Sequence, residues 1–160
     1  MIICYFLMLV SFVLMTITGL QGLLQFTFFS TTYQQFALFA TILYMFSQTL
    51  IMFYFIGSGT AIKKEINNSD IGMSIYEKVK KTKMILFPHL TLNMLIMGIA
   101  VILIGAVDTG ASTNYIQSTT FILGYFHFLY TIKVQHVGFK ENIDVIIELA
   151  EINKVSTLAS

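Results

Sequence analysis

Arginine and tryptophan are absent from this 160-residue chain, cysteine and proline occur once each, and only 11 % of residues are charged. Each scarcity excludes something. A single cysteine, Cys4, rules out an internal disulfide and any cluster held by cysteines alone. Charge far below the roughly 25 % usual in soluble domains, with a net value of +1, leaves no basic surface for a nucleic-acid partner. Acidic side chains are missing from every long apolar stretch, so no paired-carboxylate site, hydrolytic triad or zinc motif can be assembled there. The chain does not read as an enzyme by itself. Without tryptophan, an interfacial aromatic belt falls to Phe26, Phe28, Phe29 and Tyr33 near one turn and Tyr115 near another.

What is abundant is apolar surface: 56 % of residues are hydrophobic and the mean hydropathy is +0.80. This is the composition of a membrane protein. A bilayer core of about 30 Å needs about 20 helical residues, and segments 2–29, 36–56, 84–107 and 115–134 supply them. The first three carry no charge, and the fourth carries none before Lys133. Their apolar runs are continuous and do not alternate, which favours helices over barrel strands. Segment 2–29 lacks a basic leader and is too long for a cleaved signal, so it is expected to stay as a span. The expected fold is all-α: a four-transmembrane-helix antiparallel bundle over 1–136, followed by an amphipathic helical tail over 137–160.

All nine basic residues are lysines, confined to the 57–83 link and to the region from Lys133 onward. The positive-inside rule then places that link, the tail and both termini in the cytoplasm, most naturally of a bacterium or inside an organellar inner membrane. Short lysine-free links, "STTYQQ" and "DTGASTNYIQ", make spans one and two a hairpin and spans three and four another. "GSG" at 57–59 is placed to cap the second helix or to let it pack closely against a neighbour. "NNSD" at 67–70 reads as a turn and N-cap for a short basic helix that feeds the third span. Nothing else of a phosphate-loop motif follows the glycines.

In the tail, Glu141, Asp144, Glu148 and Glu151 recur at spacings of three and four, with Ile143, Ile146, Ile147 and Ala150 assigned to the opposite side. Its acidic face would avoid an anionic leaflet. That face can be solvated, dock on a basic partner surface, or dock on the chain's own Lys78–Lys83 cluster.

Few polar side chains fall inside the apolar segments, and each is a candidate for function because lipid makes it costly. They are Gln21, Gln48, His89, Asn93 and His127, with some hydroxyls. His89 follows Lys83 by six residues and His127 precedes Lys133 by six, so both lie about 9 Å from one boundary on adjacent helices. Asn93 is one turn from His89, with Gln48 within reach near mid-membrane, and Gly124 is one turn from His127.

Three readings of the pair follow. The imidazoles are hydrogen-bonded structural groups; or His89 and His127 are axial ligands of a b-type haem; or they bind a quinone headgroup or relay protons. In the haem reading Gly124 leaves room for the macrocycle beside Tyr125, Phe126 and Phe128, Lys81 and Lys83 face the propionates in place of arginine, and His136 is the alternate ligand. Nine scattered methionines read as packing residues and not as a copper site. Pro88 sits beside His89, harmless if a helix starts within a turn before it and otherwise freeing the Met84 carbonyl.

Short links, one modest loop and a helical tail fit an accessory or anchoring subunit of a larger, energy-transducing membrane complex, contacting other membrane subunits and lipid. Gly19, Gly22, Gly98, Ala100 and Gly105 would permit close helix approach. As architecture the layout is similar to the haem-bearing membrane anchors of succinate dehydrogenase, with no motif in common. The alternative function is a haem-binding, quinone-linked electron-transfer subunit.

Overall fold

A computed structural model describes residues 1–24, 32–66 and 70–158. Over these the chain is helical and without strands: α1 (Ile2–Leu24), α2 (Tyr33–Glu65), α3 (Asp70–Asp108) and α4 (Asn114–Leu158). The aromatic residues Phe26, Phe28 and Phe29, and all of "NNSD" but its final Asp70, lie outside the described residues.

Helices α1, α2 and α3 are long and apolar enough to cross a membrane. Helix α4 does not meet that measure, because Gln117, Ser118, Thr119, Thr120, His127 and Thr131 dilute its apolar stretch. The chain is a helical membrane protein with three helices of this kind among the described residues, and α4 packs along them.

Local chemistry sets the ends. Thr32 caps α2 in a capping box: its Oγ1 accepts the Gln35 N–H at 3.4 Å and its own N–H reaches Gln35 Oε1 at 3.3 Å. Helix α3 closes in a Schellman motif, with the Gly110 N–H on Val107 O at 3.0 Å and the Ala111 N–H on Ala106 O at 2.8 Å. Gly110 takes φ 72°, which an L side chain would resist. Asp108 accepts from Gln34 Nε2 at 2.6 Å and ties the start of α2 to the end of α3.

Two sequence expectations change here. "GSG" does not end α2, which runs through it; the close packing is real and falls on Gly59, where a Cβ would sit 2.1 Å from Lys83 Nζ and 3.1 Å from Val79 Cγ1. The basic stretch before span three is no separate helix but the first turns of α3. Pro88 is therefore deep inside a helix and not near its start, so its missing N–H leaves the Met84 carbonyl without the usual intrahelical donor.

Sequence neighbours pack side by side, α1 on α2, α2 on α3 and α3 on α4, and α1 also meets α4. Each of these pairs runs antiparallel: Gly22 meets Tyr33, Asn93 meets Tyr44, Asn93 reaches Gly124, and Tyr5 meets His136. Two apolar clusters fill the interior, one around Ile51, Phe55, Leu86, Leu90 and Phe139, the other around Met15, Tyr44, Met97 and Phe128. On α1 the buried stripe is Cys4, Ser11, Met15, Thr18 and Gln21, more polar than the exposed Phe6, Leu9, Val13 and Leu20. Of the small residues, Gly19 lies against Phe121, Gly22 against Tyr33 and Gly98 against Met45, whereas Gly105 faces open space.

At the lysine-bearing end α2, α3 and α4 continue together around Ile62, Ile75, Val79, Val145 and Leu149. Helix α4 passes through 136–137 unbroken. Its inner stripe is not the expected one. Phe139, Asn142, Val145 and Leu149 are buried, while Ile146 is 43 % and Ile147 52 % exposed and Ala150 is also outside. Asn142 takes the inner position because it is bonded: it accepts from Ser58 Oγ at 3.1 Å and donates to Tyr54 Oη at 3.3 Å. Part of the acidic face meets the chain's own lysines, with Lys78 Nζ 2.8 Å from Glu148 Oε2, and Glu141 accepts from Thr82 Oγ1 at 2.6 Å.

Candidate functional site: an imidazole pair on a locked asparagine

The structure brings His89, Asn93, Gly124 and His127 together between α3 and α4. The imidazole rings are 5.7 Å apart between centroids and tilted by 43°. Tyr130, one turn along α4 from His127, stands edge-on to His89 at 5.1 Å. Both histidines are half-buried and Tyr130 is 51 % exposed, so the cluster looks outward from the helix pair and not into the bundle.

Behind it, Asn93 is fully buried and every one of its side-chain groups is used. Its Nδ2 donates to the Gly124 carbonyl at 2.9 Å and meets His127 Nδ1 at 3.0 Å, while its Oδ1 accepts from the Tyr44 hydroxyl. A carbonyl oxygen only accepts, so the asparagine atom facing Gly124 must be the nitrogen. The orientation of the amide follows, and with it the tautomer of His127: Nδ1 accepts and Nε2 carries the proton. Nε2 has no hydrogen-bond partner among the described residues, and the same holds for the rings of His89 and Tyr130.

Neither protein-family models, nor curated proteins, nor solved structures yield a match to this chain.

The haem reading can be tested on these atoms. A Cβ at Gly124 would lie 2.7 Å from Met97 Sδ and 3.0 Å from Ile96 Cγ2, so that glycine is spent on helix contact and opens no slot. At this level the gap between α3 and α4 is bridged by a 2.9 Å hydrogen bond, too close for a macrocycle to pass. A histidine that binds metal through Nε2 normally donates its Nδ1–H to an acceptor. Here Nδ1 faces a donor. The residues as arranged do not fit a haem between His89 and His127. His136, the alternate ligand, is turned to α1, where its Nδ1 is 3.0 Å from the Tyr5 hydroxyl. Among the described residues no three His, Cys, Asp or Glu side chains gather to hold a metal ion.

Asn93 does not pair with Gln48. That amide accepts from Gln135 Nε2 one turn further along, and both are fully buried. Gln135 escapes depth counting because it lies just past the fourth apolar segment, 115–134. Tyr44 was equally hidden, one more aromatic in an apolar run. Beside the cluster, Ile85, Leu86, Tyr130 and Val137 line a groove of about 280 Å³ together with the polar Thr82, Lys133 and Glu141. A larger cleft of about 740 Å³ opens between α1 and α4 at the lysine-free end, walled by Gly19, Phe121 and Tyr125 and bordered by Tyr33, whose hydroxyl accepts from Gln117 Nε2 at 2.9 Å.

Proposed function

We propose that this chain is a small integral membrane subunit that anchors or accompanies a larger, energy-transducing membrane complex. All four helices cross the bilayer, with the lysine-bearing end and both termini in the cytoplasm of a bacterium or the corresponding side of an organellar inner membrane. The observation that carries this reading is the outward-facing cluster of His89, His127 and Tyr130 on α3 and α4. Imidazole N–H groups turned toward hydrocarbon are costly, and a neighbouring subunit, or a ligand held against one, relieves that cost. The limited apolarity of α4 agrees with a helix that is not surrounded by lipid. A second surface points the same way: Ile146, Ile147 and Ala150 lie exposed at the charged end, beyond the reach of acyl chains.

Photo-crosslinking residues in place of Tyr130 or Ile147, in membranes from cells expressing the tagged chain, should capture one defined protein. The same probe at Phe53, which faces outward from α2, should capture lipid. Crosslinks to lipid alone at all three positions, with only this chain recovered in mild detergent, would overturn the reading. No catalytic group is assigned to the chain.

A further inference from the structure

We infer that the bundle holds an internal water molecule at the Gln48–Gln135 amide pair, where it joins the unpaired nitrogen of one side chain to the unpaired oxygen of the other.

The pair sits on the bundle axis. Helices α1 and α2, α2 and α3, α3 and α4, and α4 and α1 are neighbours, so α2 and α4 face each other across the diagonal. Gln48 and Gln135 meet there, and both side chains are fully buried. Along α2, Gln48 is one turn from Tyr44 in one direction and from Ile51 in the other, so it separates the two apolar clusters to which those residues belong. Gln135 lies between the same clusters on α4, flanked by Phe128 and Phe139. Apolar packing above and below leaves this layer no route to satisfy its polar atoms from bulk solvent.

The chemistry of the pair then limits the occupant. Gln135 Nε2 donates to Gln48 Oε1, which leaves Gln48 Nε2 and Gln135 Oε1 without a hydrogen-bond partner among the described residues. Turning both amides over exchanges the labels and leaves the same remainder, one NH₂ group and one oxygen. The two orphans stay close together, because the nitrogen and oxygen of one amide are only about 2.2 Å apart and the amides are already bonded. Neighbouring hydroxyls do not supply the missing donor: Ser47 and Thr131 give their protons to the Leu43 and His127 carbonyls of their own helices, at 2.8 Å each. Ser11 Oγ is a third buried atom without a partner among the described residues, on α1 between Cys4 and Met15 of the same two clusters.

Whatever serves an NH₂ group and an amide oxygen together must accept and donate. A cation is repelled by the first, an anion by the second, and hydrocarbon satisfies neither. Water does both from a single atom, and it is the smallest ligand that can, in keeping with the full burial of both amides.

The test uses the full chain in nanodiscs. Infrared difference spectra between films hydrated with ordinary water and with H₂¹⁸O should show a narrow O–H stretch, distinct from bulk water, that moves to lower frequency with the heavier oxygen. Hydroxyls of Ser11, Ser47 and Thr131 keep their own oxygen and do not move. In the double variant Gln48→Leu, Gln135→Leu, whose apolar pair offers water nothing, the band should be lost while the helical circular dichroism is retained. His136→Leu, next to Gln135 in the chain but turned to Tyr5, should keep the band. A wild type without an isotope-sensitive band, a band that survives in the double variant, or one lost equally in His136→Leu would each overturn the inference. Should the double variant fail to fold, proton-detected NMR of the wild type with ¹⁵N-labelled glutamine decides it. The NH₂ groups of Gln48 and Gln135 should receive magnetisation from water, whereas transfer from each other alone would show a closed reciprocal pair with no water between them.

Discussion

The two ends of this bundle are built on opposite rules. At the lysine-bearing end the shared core of α2, α3 and α4 is aliphatic, with Ile62, Ile75, Val79, Val145 and Leu149 inside and the charged residues outside. Along the apolar segments polar side chains join the apolar core: Gln48, Asn93 and Thr131 are buried beside Met15, Tyr44, Ile51 and Phe128, while Leu38, Phe39, Phe46 and Phe53 face outward. Water supplies a hydrophobic driving force for the first arrangement. Lipid supplies none for the second, where packing and interhelical hydrogen bonds hold the helices together and bare polar groups find partners inside. The border between the regimes lies near the Lys83 and Gly59 contact, where a lysine stem packs over a bare backbone.

Substitutions can probe that contrast. The largest loss is expected for Ile75→Ala in the aliphatic core, about 2–5 kcal/mol by transfer and cavity terms, read as a lowered midpoint in denaturant unfolding followed by circular dichroism. Asn93→Ala should come next. Three hydrogen bonds averaging about 0.6 kcal/mol each in a membrane setting give about 1–2 kcal/mol, measurable by SDS-induced unfolding. Gln48→Leu strands the Gln135 amide and should cost about 1 kcal/mol, but adding Gln135→Leu should restore part of it, since an apolar pair leaves nothing unsatisfied. A double variant worse than the sum of the singles would show that the pair is not the unit of stability. The smallest effect belongs to Lys78→Ala. Its partner Glu148 and the lysine are both well exposed, so about 1 kcal/mol is an upper bound, vanishing at high salt.

The same contrast explains what could be foreseen from sequence. Continuous apolar runs and lysine placement are strong signals, and they led to a helical membrane protein. The matched depth of His89 and His127 was legible because helical rise is regular. The inner stripe of α4 was misplaced for a physical reason: isoleucines surround that helix, and the residue that belongs inside, Asn142, is polar and paid for by Ser58 and Tyr54. Periodicity of hydrophobicity cannot see a satisfied amide. Gly124 misled in a similar way, since a missing side chain looks the same in sequence whether it makes room for a ligand or for Met97. The Tyr44–Asn93–His127 chain joins three helices, and no spacing rule within one helix reveals it.

Helix length carries a further consequence. Helix α4 has 45 residues and α3 has 39, which makes them rods of about 67 and 58 Å. A hydrocarbon layer of about 30 Å would account for about half of α3. The remainder, stiffened by the aliphatic core it shares with α2 and α4, fixes the height of Ile146 and Ile147 along the bundle. Any tilt imposed on the rods at one end reappears as a lateral displacement at the other.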